Sequence, residues 1–258
     1  MAYAVITGAS KGIGKSIAEQ LASRRYDLVL VAQSESELKS VSESIETKFG
    51  VKVSYLAMDL SVPANPYQLF DWCISHNLDV SVLVNNAGYG LVGAFHTHEA
   101  EDYLAMMQVN MSTPVLLTSL FLSKFKKSPE FYILNIASSA AYQAIPLLNV
   151  YAASKAFMLH FSRGLYRELK GSNASVTCVS PGPTESNFAN RAKLGDKAKK
   201  LAVKVNMSPD VVAKIAIDAM FSKKAEIIPG FMNKLGAFFA KVLPKTIVEK
   251  VAMGLYVD

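Results

Sequence analysis

The chain has 258 residues, 51% hydrophobic and 19% charged, which supplies a sizeable core and excludes a disordered chain. Its formal charge is +6, from 27 Lys and Arg against 21 Asp and Glu, a balance that favours anionic ligands such as phosphates. The densest basic stretch, RAKLGDKAKKLAVK at 191 to 204, has no interleaved aromatics to stack on bases, so no nucleic acid is expected as a partner.

From the first residue, MAYAVITGAS enters a strand-like run, so no secretory leader is expected. β-branched runs follow at 27–32, 51–59, 80–86, 131–138, 175–180 and 225–229, making seven expected strands with the one at 3–7. Helical patterns separate them at 13–25, 36–49, 63–77, 99–127, 151–170 and 208–223. Strand followed by helix, repeated, implies an α/β fold in which a parallel sheet is covered on both faces. No repeat, linker or composition shift divides the chain, so a single domain over 1–258 is expected. No uninterrupted apolar run reaches the ~18 residues of a membrane span, and the expectation is a soluble or peripheral protein. Cys73 and Cys178 lie far apart without metal-like spacing and suit buried thiols in a reducing, cytoplasmic setting. His96 and His98 stand close together, but no further ligand joins them in sequence and no metal is expected.

In open sheets of this kind, ligands bind beyond the carboxyl ends of the strands, where strand order reverses. The motifs fall there. TGASKGIG (7 to 14) follows the first strand and opens the first helix. Glycines in such a turn let the backbone approach a pyrophosphate, and the helix N-terminus offers N–H groups to it; a purely steric need for a tight turn explains the same glycines. NNAG (85 to 88), the serines at 138 and 139, YAASK (151 to 155) and PGPTES (181 to 186) end or follow later strands. If YAASK is helical, Tyr151 and Lys155 are neighbours on one face. Taken alone, such a pair is also what packing and solvation would leave on a helix surface.

In this order the motifs resemble the short-chain dehydrogenase/reductase family, in its single-domain branch, over residues 1 to about 230. The resemblance rests on Gly8, Gly12, Gly14, Asp59 with Leu60, NNAG, Asn110, Ser138, Tyr151, Lys155, Pro181 and Gly182. It implies a three-layer Rossmann-type fold with a seven-stranded parallel sheet, a bound nicotinamide dinucleotide and hydride transfer. Cofactor contacts are then implied for Gly8, Ser10, Lys11, Gly12, Ile13 and Gly14 in the first loop, and for Gln33, Asp59 and Leu60 beyond the second and third strands. Asn86, Ala87, Gly88, Tyr151, Lys155, Pro181, Gly182 and Thr184 complete the implied cofactor set. After the second strand come Ala32, Gln33 and Ser34, with no carboxylate before Glu35, and Lys11 resembles the cation of NADP-preferring members. NADP is therefore expected over NAD, although Gln33 stands where many such members carry Arg.

For catalysis, tyrosine is a poor base near neutrality, its reference pKa being ~10, until a cation stabilises the phenolate. The resemblance makes Tyr151 the acid/base, assigns Lys155 to lower its pKa and hold the nicotinamide ribose, and gives Ser138 the substrate oxygen. Asn110 would anchor a water linking Lys155 to solvent. An acyl-transfer serine enzyme is disfavoured, because no G-x-S-x-G elbow is present; a non-catalytic, dinucleotide-sensing protein of the same fold stays the alternative.

The stretch 140–150 with Tyr89, Leu91 and Val92 would form an apolar wall above the nicotinamide, suited to a small apolar carbonyl or secondary alcohol. Residues 184 to 206 would cover the substrate as a lid. From 231 to 258 an amphipathic helix interrupted at Pro244 is expected, with Phe231, Leu235, Phe238, Phe239 and Val242 on one face. Core packing, a subunit contact and a lip resting on a membrane surface are its three readings, and the segment is similar to tails of family members related to ketoacyl reduction. The resemblance further suggests a homodimer or homotetramer through helices at 99–127 and 149–170.

Overall fold

Alternation of side chains along the β-branched runs sets the layers. In the computed structural model, which describes residues 2–125, 129–184 and 206–256, Ala4 and Ile6 of β1 (Tyr3–Thr7) enter one core cluster and Val5 enters another. Leu28 and Leu30 of β2 (Asp27–Ala32) divide from Val29 and Val31 in the same way, as a period of two requires. With β3 (Val53–Ala57), β4 (Val80–Asn85), β5 (Phe131–Ile136), β6 (Ala174–Val179) and β7 (Glu226–Ile227), these strands form one seven-stranded sheet in the order β3-β2-β1-β4-β5-β6-β7. Every ladder is parallel. Order reverses between β1 and β4, and the crevice beyond their carboxyl ends is the expected ligand position.

The first cluster is covered by α1 (Gly12–Ala22), α2 (Glu35–Phe49) and α7 (Pro209–Phe221); the second by α3 (Asn65–Ser75), α5 (Thr113–Phe125) and α6 (Asn149–Glu168). Local signals explain the helix ends. Ser34 accepts a hydrogen bond from the Glu37 N–H at the start of α2, Gly50 ends it at φ 66°, and Ser208 with Pro209 opens α7. The expected helix at 99–127 is a broken one: α4 (Ala100–Met107) passes through a π-helical turn at Gln108–Ser112 into α5. By length and composition alone Ala100–Phe125 is apolar enough to cross a membrane, but Met106, Leu117 and Phe121 are fully buried in the core of this fold.

The segment after β7 forms α8 (Phe231–Val242) and α9 (Lys245–Tyr256), with the break at Pro244 where the sequence places it. The facing of α8 corrects the core-packing reading of its large side chains. Ala237 and Ala240 pack against Ala141, Tyr142 and Met158, while Phe231, Phe238, Phe239 and Val242 are exposed. The residues that meet this cluster are small, and at the helix start Asn233 Oδ1 lies 2.1 Å from where a Cβ on Gly182 would be. Most of the expected lid, 185 to 205, and the basic stretch at 191 to 204 lie outside the described residues; at its flanks Thr184 and Met207 form a parallel bridge.

A polar ladder crosses the second layer. Asn85 Nδ2 on β4 donates to Asn135 Oδ1 on β5 (2.8 Å) and to Thr118 Oγ1 (3.1 Å), and Asn135 Nδ2 donates to Ser162 Oγ on α6 (2.9 Å). Both asparagines are buried, so each bond lost leaves a buried group unpaired. Asn135→Ala is expected to lower unfolding free energy by roughly 1–3 kcal/mol, measured by urea denaturation; an unchanged midpoint would remove this ladder from the account of how α6 is held.

Candidate active site

The crevice is built by interlocking the loops after β1 and β4. Thr7 Oγ1 donates to Val84 O (3.1 Å) and accepts from the N–H groups of Asn86 (3.0 Å) and Ala87 (3.1 Å). In return, Asn86 Nδ2 donates to Thr7 O (2.9 Å) and Gly8 O (3.0 Å). The glycine loop can lie this close because Gly8 adopts φ 66° and a Cβ on Gly14 would meet Gly8 O at 2.1 Å and Asn86 Nδ2 at 2.5 Å. Behind the loop α1 starts at Gly12, and no side chain caps its first turn. Its N-terminus is thus a cradle for an anion. Ile13 packs back onto the core.

Lys11 and Ser10 face α2. Lys11 Nζ pairs with Glu37 Oε1 at 3.2 Å, and the Ser10 hydroxyl first, then Lys11, hold the Glu37 carboxyl below its usual range against the opposing effect of burial. Exposed Gln33 follows β2. Asp59 Oδ1 accepts from the backbone N–H (2.9 Å) and hydroxyl (2.7 Å) of Ser61, while the carbonyl of buried Leu60 accepts from Thr113 Oγ1 (2.9 Å). These residues line the β2 and β3 side of the crevice, away from the tyrosine and lysine.

On the other side α6 brings Tyr151 and Lys155 together. Both are buried, and Lys155 Nζ lies 5.7 Å from the Tyr151 ring centroid. The ammonium donates to Ile136 O at 3.0 Å, at the end of β5 and two residues before Ser138. Burial pulls the Lys155 pKa down to about 8, with Cys178 acting in the opposite sense. A Cβ on Gly88 would lie 3.0 Å from Asn110 Oδ1 and 3.2 Å from Lys155 Nζ, so the absence of a side chain there lets these groups converge. Asn110, carried inward by the π turn, donates to Tyr89 O (2.9 Å) and Ser154 Oγ (3.0 Å) and accepts from Tyr89 N–H (3.1 Å). Its carboxamide holds the turn after NNAG. Ser138 Oγ accepts from the Ala140 N–H (3.1 Å) at the head of a 3-10 turn, Ser139–Tyr142.

Pro181, Gly182 and Thr184 close the rim: Pro181 O accepts from the Ser139 N–H (2.7 Å), and Thr184 Oγ1 donates to Gly182 O (3.1 Å). The wall expected from sequence is assembled by Tyr89, Leu91, Val92, Ile145 and Leu148, clustered with Tyr151 and joined by Ala252 of α9. Thr7, Ser154, Asn233 and Ala252 were not singled out from sequence. Thr7 carried a signal, a hydroxyl closing an apolar strand just before the first glycine; for Asn233 and Ala252 no local pattern announces the contact.

A family model described as short chain dehydrogenase matches residues 2–197. The very-long-chain 3-oxoacyl-CoA reductase of Rattus norvegicus is 36% identical over 257 residues, covering 98% of this chain and 78% of that protein. The very-long-chain 3-oxoacyl-CoA reductase-A of Danio rerio is 34% identical over 183 residues, 69% of this chain and 57% of that protein, so the match spans little more than half of that relative's length. Among solved structures, one of a study of 7beta-hydroxysteroid dehydrogenase stereoselectivity shares the fold at a TM-score of 0.88 and 21% identity, over 97% of this chain and 96% of that one. A short-chain dehydrogenase from Sphingobium yanoikuyae in complex with NADPH has a TM-score of 0.82 and 26% identity, over 95% and 97%.

The interlocked loops make one test direct. Gly14→Ala places a methyl against the Gly8 carbonyl, which is backbone and cannot swing away. Dinucleotide affinity, followed by quenching of Trp72 emission or by calorimetry, is expected to fall by at least ~10-fold, in line with the roughly 1–3 kcal/mol of an overpacked site. Full affinity in the variant would show that the loop does not touch the ligand.

Proposed function

Given that this chain belongs to the short-chain dehydrogenase family and is an oxidoreductase of that family, we propose that it transfers a hydride between NADP(H) and an apolar ketone or secondary alcohol of 3-oxoacyl type. The observation that carries this reading is the buried ammonium of Lys155 beside the Tyr151 ring, at the crevice end of β5 and against Gly88. The residues present fit a dinucleotide: the uncapped start of α1 suits a pyrophosphate, and Gly8, Gly14 and Gly88 leave space that a Cβ would fill.

When bound, the dinucleotide supplies or accepts the hydride. The chain's own residues do the rest. Tyr151 delivers a proton to the carbonyl oxygen in reduction and removes it in oxidation, and the Lys155 ammonium stabilises negative charge on the phenol oxygen while its proton is away. Lys155 also holds the nicotinamide ribose, and the Ser138 hydroxyl orients the substrate oxygen. Tyr89, Leu91, Val92, Ile145 and Leu148 exclude water and accept an apolar chain, whereas a charged sugar would lose its hydration there without a partner. The Rattus norvegicus relative, named for reduction of very-long-chain 3-oxoacyl-CoA, supports a thioester of an apolar acid.

Lys11, and the lack of a carboxylate at 32 to 34, support NADP. Lys11 is paired with Glu37 in the structure, so holding a 2′-phosphate there would require Lys11 to exchange that carboxylate for the phosphate. Exposed Leu104 and Met107 on α4 and Phe157 on α6 support a homo-oligomer through those helices, and the two buried free thiols suit the cytoplasm.

Two measurements check the mechanism. NADPH oxidation over a panel of ketones, aldehydes and 3-oxoacyl thioesters is expected to find turnover that falls at least ~100-fold in Tyr151→Phe, the lower range for lost acid–base assistance; unchanged turnover would exclude the tyrosine. Since burial lowers the Lys155 pKa to about 8, its positive charge is present below that pH and lost as pH rises through it. Cofactor affinity should therefore weaken above about pH 8, and Lys155→Met should bind weakly with a flat profile across the same range.

A further inference from the structure

The outer face of α8 is apolar and the inner face is small. Ala237 and Ala240 pack inward, whereas Phe231, Phe238 and Val242 are 77%, 59% and 61% exposed, and Phe239 stands beside them. At 100° per residue, 231, 235, 238 and 242 form one stripe opposite the alanines. On α9, Ile247 and Val251 are also exposed. Cations accompany the stripe: between 231 and 256 the sequence has Lys234, Lys241, Lys245 and Lys250 against Glu249 as its single acid. Lys241 Nζ lies 5.1 Å over the Tyr142 ring and Lys245 Nζ donates to Ala240 O (2.9 Å), while Lys234 and Lys250 are exposed.

Phenyl groups held in solvent, with ammonium groups along the flank, have the chemistry of a helix lying in a membrane interface. We propose that α8 and α9 seat the protein on an anionic lipid-bilayer surface, with Phe231, Phe238 and Val242 entering the acyl region and Lys234 and Lys250 reaching lipid phosphates. The charge balance selects this occupant. A second copy docked about a two-fold axis would bring the same net-positive face of each chain together, with no acid but Glu249 between 231 and 256 to answer the lysines; an anionic bilayer meets both the rings and the cations. The inner sides of the same helices touch the site: Asn233 abuts Gly182, and Ala252 joins the cluster around Tyr151. The seat therefore lies beside the apolar wall. The inference does not depend on the identity of the substrate or cofactor.

The test is cosedimentation of the full chain with phosphatidylglycerol/phosphatidylcholine vesicles and with pure phosphatidylcholine vesicles, in low and high salt, alongside size-exclusion chromatography without lipid. Binding is expected for the anionic vesicles and is expected to weaken at high salt. Phe238→Ser with Val242→Ser preserves charge and removes apolar contact at exposed positions, so it should abolish binding with the thermal midpoint unchanged. Lys234→Glu with Lys250→Glu should weaken binding by at least ~10-fold, from about 1 kcal/mol per basic residue near the surface. No wild-type binding to the anionic vesicles, or binding that survives the serine pair, overturns the proposal. So does a wild-type dimer that the serine pair converts to monomer, which would assign the face to a second copy.

Discussion

One constraint organises this molecule: an ammonium group must stay inside the protein beside a phenol. Lys155 is 4% exposed, and burial of a cation is costly enough to lower its pKa to about 8. Its hydrogen bond to the Ile136 carbonyl, at the end of a strand, partly compensates. The neighbourhood is arranged around that requirement. Gly88 leaves room for the charge and for Asn110, and Asn110 in turn holds Tyr89 by both its backbone groups. The Asn85–Asn135–Ser162 ladder fixes α6 to the two central strands, which sets the depth at which Tyr151 and Lys155 enter the crevice.

A second principle is that close approach of backbone segments, rather than bulk of side chains, shapes the ligand side. The loops after β1 and β4 exchange hydrogen bonds through Thr7 and Asn86, and this interlock tolerates only hydrogen at Gly14. At the start of α8 the space left by glycine is filled by side chains instead: Asn233 lies against Gly182 and Gly230, and Met207 against Gly230. Small residues buy proximity there, and the large apolar residues of α8 are left on the outside. The inner sides of α8 and α9 thus complete the rim and wall of the crevice, while the outer side offers an apolar surface unlike that of the buried core helices.

Much of the fold was legible because the signals are local. The seven strands lie within the β-branched runs, with alternate residues of β1, β2 and β5 filling opposite core clusters, and Ser34, Gly50 and Ser208 mark helix ends by their own hydrogen bonding and φ. The split of 99–127 was not legible, because an extra residue in a π turn leaves no mark in apolar spacing; only the pull of Tyr89 and Ser154 on Asn110 explains it. The pairing of Lys11 with Glu37 joins the glycine loop to the first turn of α2, 26 positions away, and no spacing rule connects them.

By itself the sequence determined most of the strand and helix segments, though not the π turn within 99–127, and which chemical groups stand at strand ends, since these follow from propensity, periodicity and the glycine positions of one stretch at a time. Tertiary structure alone decided which face of α8 turned inward, that Asn110 spends its carboxamide on Tyr89 and Ser154, and that α9 reaches Tyr151. Those outcomes depend on distances between segments far apart in the chain. Such distances are settled by how closely two backbones can pack, a quantity that no single stretch of residues contains.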